Sequence, residues 1–234
     1  YHVAVIVEDS GCVLGGDTYI DGTMSESDQQ SIFNTMVGTS SNQGSNTERI
    51  FSLFESALSS SNRGNGGCNE GFYRDSAKLN LVAISDEPEQ SGNPYTYYTA
   101  LFGSLKQDSD DFVFHAVAAD NPNNGGSNSC GASYDSRYEN ATIDTGGLYL
   151  SICATDWGGH LETLAENAAQ DLSSFELTDQ PVPETIEVQV DGITTVSGWS
   201  YNSSDNTVDF ELDYVPEGGS TIDVDYALMG DCTQ

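Results

Sequence analysis

Three carboxylates follow an apolar stretch of the chain. The run "LNLVAI" ends in "SDEPEQS", which holds Asp86, Glu87 and Glu89. If residues 79–85 form a buried strand, Asp86 lies at its carboxyl end, the edge where open α/β sheets hold ligand sites. Carboxylate oxygens are also the ligands that Mg²⁺ and Ca²⁺ prefer. The pattern predicts a site carboxylate at Asp86, with Glu87 and Glu89 as surface acids; the alternative is an ordinary solvated strand end.

The charge balance limits the partners. The chain of 234 residues carries 37 Asp and Glu against 6 Lys and Arg, a net charge of −31. Nucleic acid and anionic membrane surfaces are excluded as partners, because binding them needs basic residues. The acids are scattered among apolar residues, so they do not form a disordered tail. They indicate either a halophilic or marine surface, whose self-repulsion salt screens, or sites for divalent cations.

The cysteines indicate an oxidising compartment. The chain has five cysteines, no C-x-x-C pair and three histidines, so a zinc site is not expected. Cys130 and Cys153 flank a compact segment before the last predicted strand, and we expect them to be bonded. Cys12 and Cys68 are the expected second disulfide, which leaves Cys232 without a partner among them. Such disulfides, with no apolar run long enough to span a membrane, predict an extracellular protein.

Strand and helix patterns alternate over the first two thirds of the chain. Buried strands are predicted at residues 3–7, 79–85, 112–118 and 149–153. Predicted helices lie at residues 25–37, 48–58 and 95–105 between these strands, and at residues 160–172 after the last of them. This order predicts an α/β fold with a mostly parallel, doubly wound sheet and helices on both faces.

The character of the sequence changes after Phe175. The segment "TDQPVPE" contains two prolines, and only strand patterns follow it. We therefore predict two domains, an α/β domain at residues 1–177 and a small β-rich domain at residues 178–234. Residues 203–206 are expected to form a hairpin turn.

No arrangement of catalytic residues is evident. His115 alternates with apolar residues in a predicted strand, which favours a histidine satisfied within the core. His160 begins a helix without a nearby nucleophile pattern, and the G-x-S-x-G motif of hydrolases is missing. The sequence therefore favours a protein that is not an enzyme.

Several segments resemble one known family. Residues 79–91 resemble the strand and loop that carry the third metal-site motif of bacterial von Willebrand factor type A domains. "VGTSSNQGSNTE" is similar to the loop of the second motif, and "SRYENATIDTGGLYLSIC" to the last strand and its surroundings. The resemblance implies a Rossmann-like sheet with Mg²⁺ or Ca²⁺ at its top edge. Asp86 would be one metal ligand, and Thr39 or Ser45 another.

The chain departs from the family in its first motif. An Asp-x-Ser-x-Ser loop is missing, and "HVAVIVEDSGC" is similar to the second strand of the family, because only a short helix lies between Cys12 and Thr39. The first strand and its metal loop would then precede Tyr1. The segment "GWSYNSSDNTVDFELDYVPEGGSTIDVDY", residues 198–226, is similar to a β module that follows such domains in secreted bacterial proteins.

The resemblance implies a function at the cell surface. It predicts a secreted, non-catalytic adhesion or binding module that recognises a protein or a glycan through a divalent cation. The alternative is a structural subunit of a surface appendage or filament. In that case a strand edge of the β module would pair with a neighbouring subunit.

Overall fold

The computed structural model describes residues 1–7, 9–16, 18–38, 48–124, 130–211, 214–216 and 220–228. Within them the chain is a mixed α/β protein with six α-helices, a three-stranded parallel sheet and small antiparallel sheets. It divides into two compact units, Tyr1–Asp156 and Trp157–Gln234. The sequence predicted the domain boundary near residue 177, after the last long helix, whereas the two units divide before that helix.

The first unit contains the parallel sheet. Its described elements are β1 (His2–Val3), β2 (Ile20–Asp21), α1 (Glu26–Met36), α2 (Ile50–Ala57), α3 (Ser60–Arg63), β3 (Leu79–Ile84), α4 (Tyr95–Gly103), β4 (Phe112–Ala118), α5 (Ser136–Asp144) and β5 (Tyr149–Ser151). The parallel sheet has the order β3-β4-β5. All seven residues of the central strand β4 are buried, which explains why six of them are apolar. The buried strand predicted at residues 112–118 is thus confirmed. The strand predicted at residues 79–85 is confirmed as Leu79–Ile84, but only alternate residues of it are buried, whereas Val82 and Ile84 are exposed.

One face of this sheet is covered by helices. Phe51 of α2 lies at the centre of the packing, with its ring centroid 5.3 Å from Tyr98 of α4, 5.0 Å from Phe114 of β4 and 5.8 Å from Tyr138 of α5. Leu79, Leu81 and Ala83 of β3 join the same core. The helices α2, α4 and α5 therefore pack on one face, and a doubly wound sheet stays a prediction.

Residues 3–7 do not form the predicted strand of the parallel sheet. His2–Val3 instead pairs antiparallel with Ile20–Asp21. Residues 4–6 are half-buried against a small cluster of Val13, Ile20 and Met36. The prediction was wrong because a short apolar run indicates burial without specifying which element buries it. The strand predicted at residues 149–153 also ends earlier, at Ser151.

Two disulfides link distant parts of the first unit. Cys12 is bonded to Cys68 and Cys130 to Cys153, as the sequence predicted. Disulfides of this kind persist in oxidising compartments. Cys232 lies outside the described residues. Among the residues described, no helix has the length and apolar character needed to cross a membrane.

The second unit contains the predicted β module. Its described elements are α6 (Trp157–Ser173), β6 (Ser174–Glu176), β7 (Glu187–Val190), β8 (Ile193–Thr195), β9 (Trp199–Asn202), β10 (Thr207–Phe210) and β11 (Ile222–Asp225). They form two antiparallel sheets, β6-β10-β9 and β11-β7-β8, and the predicted turn at residues 203–206 joins β9 to β10. Val188 and Val208 are completely buried in a shared core. Asp191 and Gly192 have φ angles of 52° and 76°, as a tight two-residue hairpin between β7 and β8 requires.

Candidate binding site

Asp86 lies at the carboxyl end of β3, where the sequence placed it. The last bond of the ladder joins the Ser85 amide to the Val117 carbonyl at 3.1 Å. The Ser85 hydroxyl donates to the Glu87 carbonyl at 3.0 Å and accepts from the Glu87 amide at 3.1 Å, so the chain turns sharply here. The Ser133 amide also donates to the Asp86 carbonyl at 2.8 Å. The backbone of Asp86 is therefore held in place while its side chain is exposed.

Glu89 is not the surface acid that the sequence predicted. Its side chain is completely buried. One carboxylate oxygen accepts from the Phe51 amide at 3.2 Å, and the other accepts from the Ser91 amide at 2.6 Å. Phe51 lies in the first turn of α2, whose amides have no partners within the helix. A negative charge is favourable at this end of a helix, so Glu89 acts as a cap supplied from a distant loop.

Ser91 completes this cap. Its hydroxyl accepts from the Ser52 amide at 2.9 Å, and the Gln90 amide donates to the Glu48 carbonyl at 2.6 Å. Arg49, at the N-cap position, makes no capping hydrogen bond with its side chain. The sequence carried one signal of this arrangement, since residues 48 and 49 offer no good N-cap.

Tyr138 lies beneath the loop. Its side chain is almost completely buried, and burial together with the Glu89 carboxylate raises the pKa of its hydroxyl. The hydroxyl faces Ser85 and Glu89 but makes no hydrogen bond of normal geometry with a described residue. The underside of residues 85–91 is therefore a buried polar layer, which holds the loop against α2 and α5.

Like charges are gathered at this edge of the sheet. Burial first, then the carboxylates of Glu87, Asp86, Glu89 and Asp9, raise the pKa of Glu48. Arg49, the nearest basic residue in the sequence, pairs with Asp9 at 3.2 Å. Such an exposed pair contributes little stability, and it leaves the negative charges of Glu48, Asp86 and Glu87 without a basic partner from Arg49. The carboxylates of Glu48, Asp86 and Glu87 therefore form a local negative patch, which we call the carboxylate patch.

The raised pKa of Glu48 leads to a prediction on stability. The folded chain retains this proton to a higher pH than the unfolded chain, so stability falls as the pH rises from the ordinary value of 4.5 through the folded pKa. We expect Glu48→Gln to stabilise the protein at pH 7 by less than about 1 kcal/mol, because the residue is partly solvated. The gain should vanish below pH 4.5. Urea unfolding at both pH values checks this, with Glu187→Gln as a control on β7; an equal gain at both would contradict it.

The other predicted metal ligands are not part of the described structure. Thr39 and Ser45 both lie outside the described residues. Within the described part of the chain, no three His, Cys, Asp or Glu side chains form a group that could hold a metal ion. The described side chains alone thus do not make a complete cation site around Asp86.

His115 has the structural role that the sequence predicted. Its Nδ1 accepts a hydrogen bond from the Leu148 amide at 3.0 Å, and its Nε2 lies 3.2 Å from the Asn80 side-chain oxygen. An accepting Nδ1 requires the proton on Nε2, so the neutral ring bridges β3, β4 and the segment before β5. With both nitrogens engaged in the core, His115 is not positioned as a general base.

Comparison with known proteins found no match: no protein-family model, no curated protein and no solved structure matches the chain. The resemblance to type A domains thus remains a prediction from the motifs at residues 37–48 and 79–91. The functional conclusion rests on the chemistry at the carboxyl end of β3.

Proposed function

We propose that this chain is an extracellular, non-catalytic binding module of the cell surface whose ligand contacts the carboxylate patch. The observation that carries this proposal is the crowding of Glu48 by the carboxylates of Asp86 and Glu87, where hydrogen bonds hold the backbone of residues 85–87 in place. Like charges held together raise the free energy of the unbound protein. A bound cation or cationic partner would relieve this repulsion.

The ligand that we propose is a protein or a glycan, engaged with the help of Ca²⁺ or Mg²⁺. Hard cations bind several oxygen ligands, and Asp86 with its neighbours supplies only some of them. Thr39 and Ser45 belong to this proposal as the further ligands that the resemblance implies. So does the doubly wound, type A arrangement of the sheet, in which a cation at the top edge leaves a coordination position for the ligand.

The isolated chain should bind the cation weakly, with a dissociation constant of about 0.1–1 mM. NaCl should raise the melting temperature of every variant, because it screens the net charge of −31. CaCl₂ at the same ionic strength should add about 2–4 °C, since binding to the folded state alone stabilises it. We expect this addition in the wild type and in Asp223→Asn, an exposed control acid on β11, and expect Asp86→Asn to lose it.

If the melting temperature follows ionic strength alone in all three proteins, the acids form a solvated coat and the proposed cation site is wrong. If Asp223→Asn loses the effect of calcium as Asp86→Asn does, the cation binds diffusely and the carboxylate patch is not its site.

A second candidate function is that of a structural subunit that assembles through the β module. The edge strand β8 carries no charged residue, and Ile193 and Val196 are 72% and 89% exposed. An uncharged edge of β-branched residues favours pairing with another strand. We expect Ile193→Lys to abolish such assembly without loss of stability, as measured by light scattering and thermal unfolding. Unchanged assembly in this variant would exclude the β8 edge.

A further inference from the structure

Two segments of the chain match Asn-x-Ser/Thr, the acceptor pattern for N-linked glycosylation. They are Asn140-Ala-Thr and Asn202-Ser-Ser. A pattern this short is often found by chance, so the local structure has to decide which asparagine can be modified. The attached sugar is bulky and hydrophilic, which requires an asparagine side chain at the surface.

Asn202 lies at the end of β9, before an exposed turn. β9 is an end strand of the order β6-β10-β9. Trp199 and Tyr201 pack against the core of the second unit, so the alternation of side chains along a strand directs Asn202 to the opposite face. Residues 203–205 of the turn are all exposed. The surroundings of Asn202 therefore leave room for an attached sugar.

Hydrogen bonds fix the side-chain amide of Asn202. Its Oδ1 accepts from the Ser204 hydroxyl at 2.6 Å and from the Ser204 amide at 3.0 Å. Its Nδ2 donates to the Asp205 carboxylate at 2.8 Å. Asparagine often closes a turn on the backbone two residues further on. Here the same turn brings the hydroxyl that the acceptor pattern requires onto the amide that would be modified.

This arrangement favours reaction at Nδ2 of Asn202. An amide nitrogen is a weak nucleophile, because its lone pair is delocalised into the C=O bond. The Asp205 carboxylate accepts from Nδ2 and so increases the electron density on the nitrogen. When Nδ2 loses a proton, negative charge develops on Oδ1, where the two donors of Ser204 stabilise it.

The segment at Asn140 has a different arrangement, because it belongs to the helix α5 (Ser136–Asp144). Residues two apart in a helix do not face each other, so the Thr142 hydroxyl is directed away from the Asn140 side chain. That hydroxyl donates to the Glu139 carbonyl at 2.7 Å, and Thr142 is 2% exposed. The helix would have to unfold before this segment could form a turn like that at Asn202.

We propose that Asn202 is an N-glycosylation site of the folded protein and that Asn140 is not. In the reaction, a bond forms between Nδ2 of Asn202 and the anomeric carbon of an oligosaccharide carried on a lipid diphosphate. The bond between that carbon and the phosphate oxygen breaks, and the lipid diphosphate leaves with the electron pair. The proton lost from Nδ2 passes to a base of the transferase, so the step needs no oxidant or reductant.

The first test is transfer of an oligosaccharide to the purified chain, either folded or reduced and unfolded. A single-subunit oligosaccharyltransferase is supplied with its divalent cation and a lipid diphosphate-linked oligosaccharide, and a short acceptor peptide shows that the enzyme is active. We expect the folded chain to be modified at Asn202 alone and the unfolded chain at both Asn202 and Asn140. Sugar on Asn140 of the folded chain, or none on its Asn202, would overturn the proposal.

Variants of the turn test its chemistry, with circular dichroism showing that each remains folded. Ser204→Ala removes the hydroxyl that contacts Asn202 and should abolish transfer at this position. Ser203→Ala, the matched control, changes the neighbouring exposed serine and should leave transfer unchanged. Asp205→Ala should slow transfer to the folded chain but not to the unfolded one. Transfer to Ser204→Ala at the rate of the wild type would contradict the proposal.

The second test is peptide mapping of the protein as its own cells produce it. The chain has no Lys or Arg after Arg137, so a protease that cuts after Glu is used. Complete cleavage separates the two asparagines into peptides 140–162 and 188–211. We expect sugar on peptide 188–211 alone, and enzymatic release in heavy-oxygen water should convert Asn202 to a labelled aspartate. A peptide 188–211 that has only its unmodified mass would show that Asn202 is not a glycosylation site.

Discussion

Replacing Gly147 with alanine should cost about 4 kcal/mol or more of stability, the largest loss that we expect from removing a single glycine. A Cβ atom at this position would lie 1.9 Å from the Phe114 carbonyl oxygen and 2.7 Å from its carbon. Both atoms belong to the backbone of the buried strand β4, so no flexible side chain can move aside. The strand or the segment leading into β5 must shift, which also disturbs the bond between Leu148 and His115.

Equilibrium unfolding in guanidinium chloride measures this loss. Gly92→Ala is the matched control, because a Cβ there meets nothing within 4 Å. It should be neutral or slightly stabilising, since alanine restricts the unfolded chain. Stabilities within about 1 kcal/mol for the two variants would mean that the close approach of residue 147 to β4 is absent.

Replacing Glu89 with alanine should be the second most damaging of these changes, at about 3 kcal/mol. The variant leaves the amides of Phe51 and Ser91 buried without their acceptors and removes the negative charge from the start of α2. Glu89→Gln keeps one acceptor oxygen and should lose less. Glu87→Ala, at an exposed acid two residues away, should lose almost nothing.

Urea unfolding of the three variants at pH 7 gives the order of stability. The expected order is Glu87→Ala, then Glu89→Gln, then Glu89→Ala as the least stable. If Glu89→Ala were as stable as Glu87→Ala, both would be surface acids, as the sequence alone suggested, and Glu89 would not cap α2.

The sequence predicted best where burial determines the pattern. The apolar run of residues 112–118, which only His115 interrupts, predicted β4 correctly, because a central strand of a parallel sheet is buried on both faces. The same reasoning failed for residues 3–7. Residues 4–6 instead pack against Val13, Ile20 and Met36 and are not part of the parallel sheet. The sequence of a single segment indicates that it is buried, but the element that it packs against depends on the rest of the chain.

The site was only partly predictable for a related reason. The location of Asp86 at the carboxyl end of a strand could be predicted, because the residue directly follows an apolar strand pattern. The role of Glu89 depends on a helix about forty positions earlier in the sequence, and local capping rules do not reach that far. The crowding of Glu48 against Asp86 and Glu87 depends equally on how α2 approaches β3. Long-range contacts thus separate the structural acid of "SDEPEQS", Glu89, from the two acids whose side chains are exposed.

The most direct test of the proposed cation site is amide chemical-shift mapping by NMR during a titration with CaCl₂ at constant ionic strength. We expect saturable shifts at residues 85–91 and at Glu48, and no shifts at exposed acids of the β module such as Asp223. Asp86→Asn should remove these shifts while the rest of its spectrum remains that of the folded protein. Shifts of similar size across the acidic surface, or none at residues 85–91, would contradict a binding site at the carboxyl end of β3.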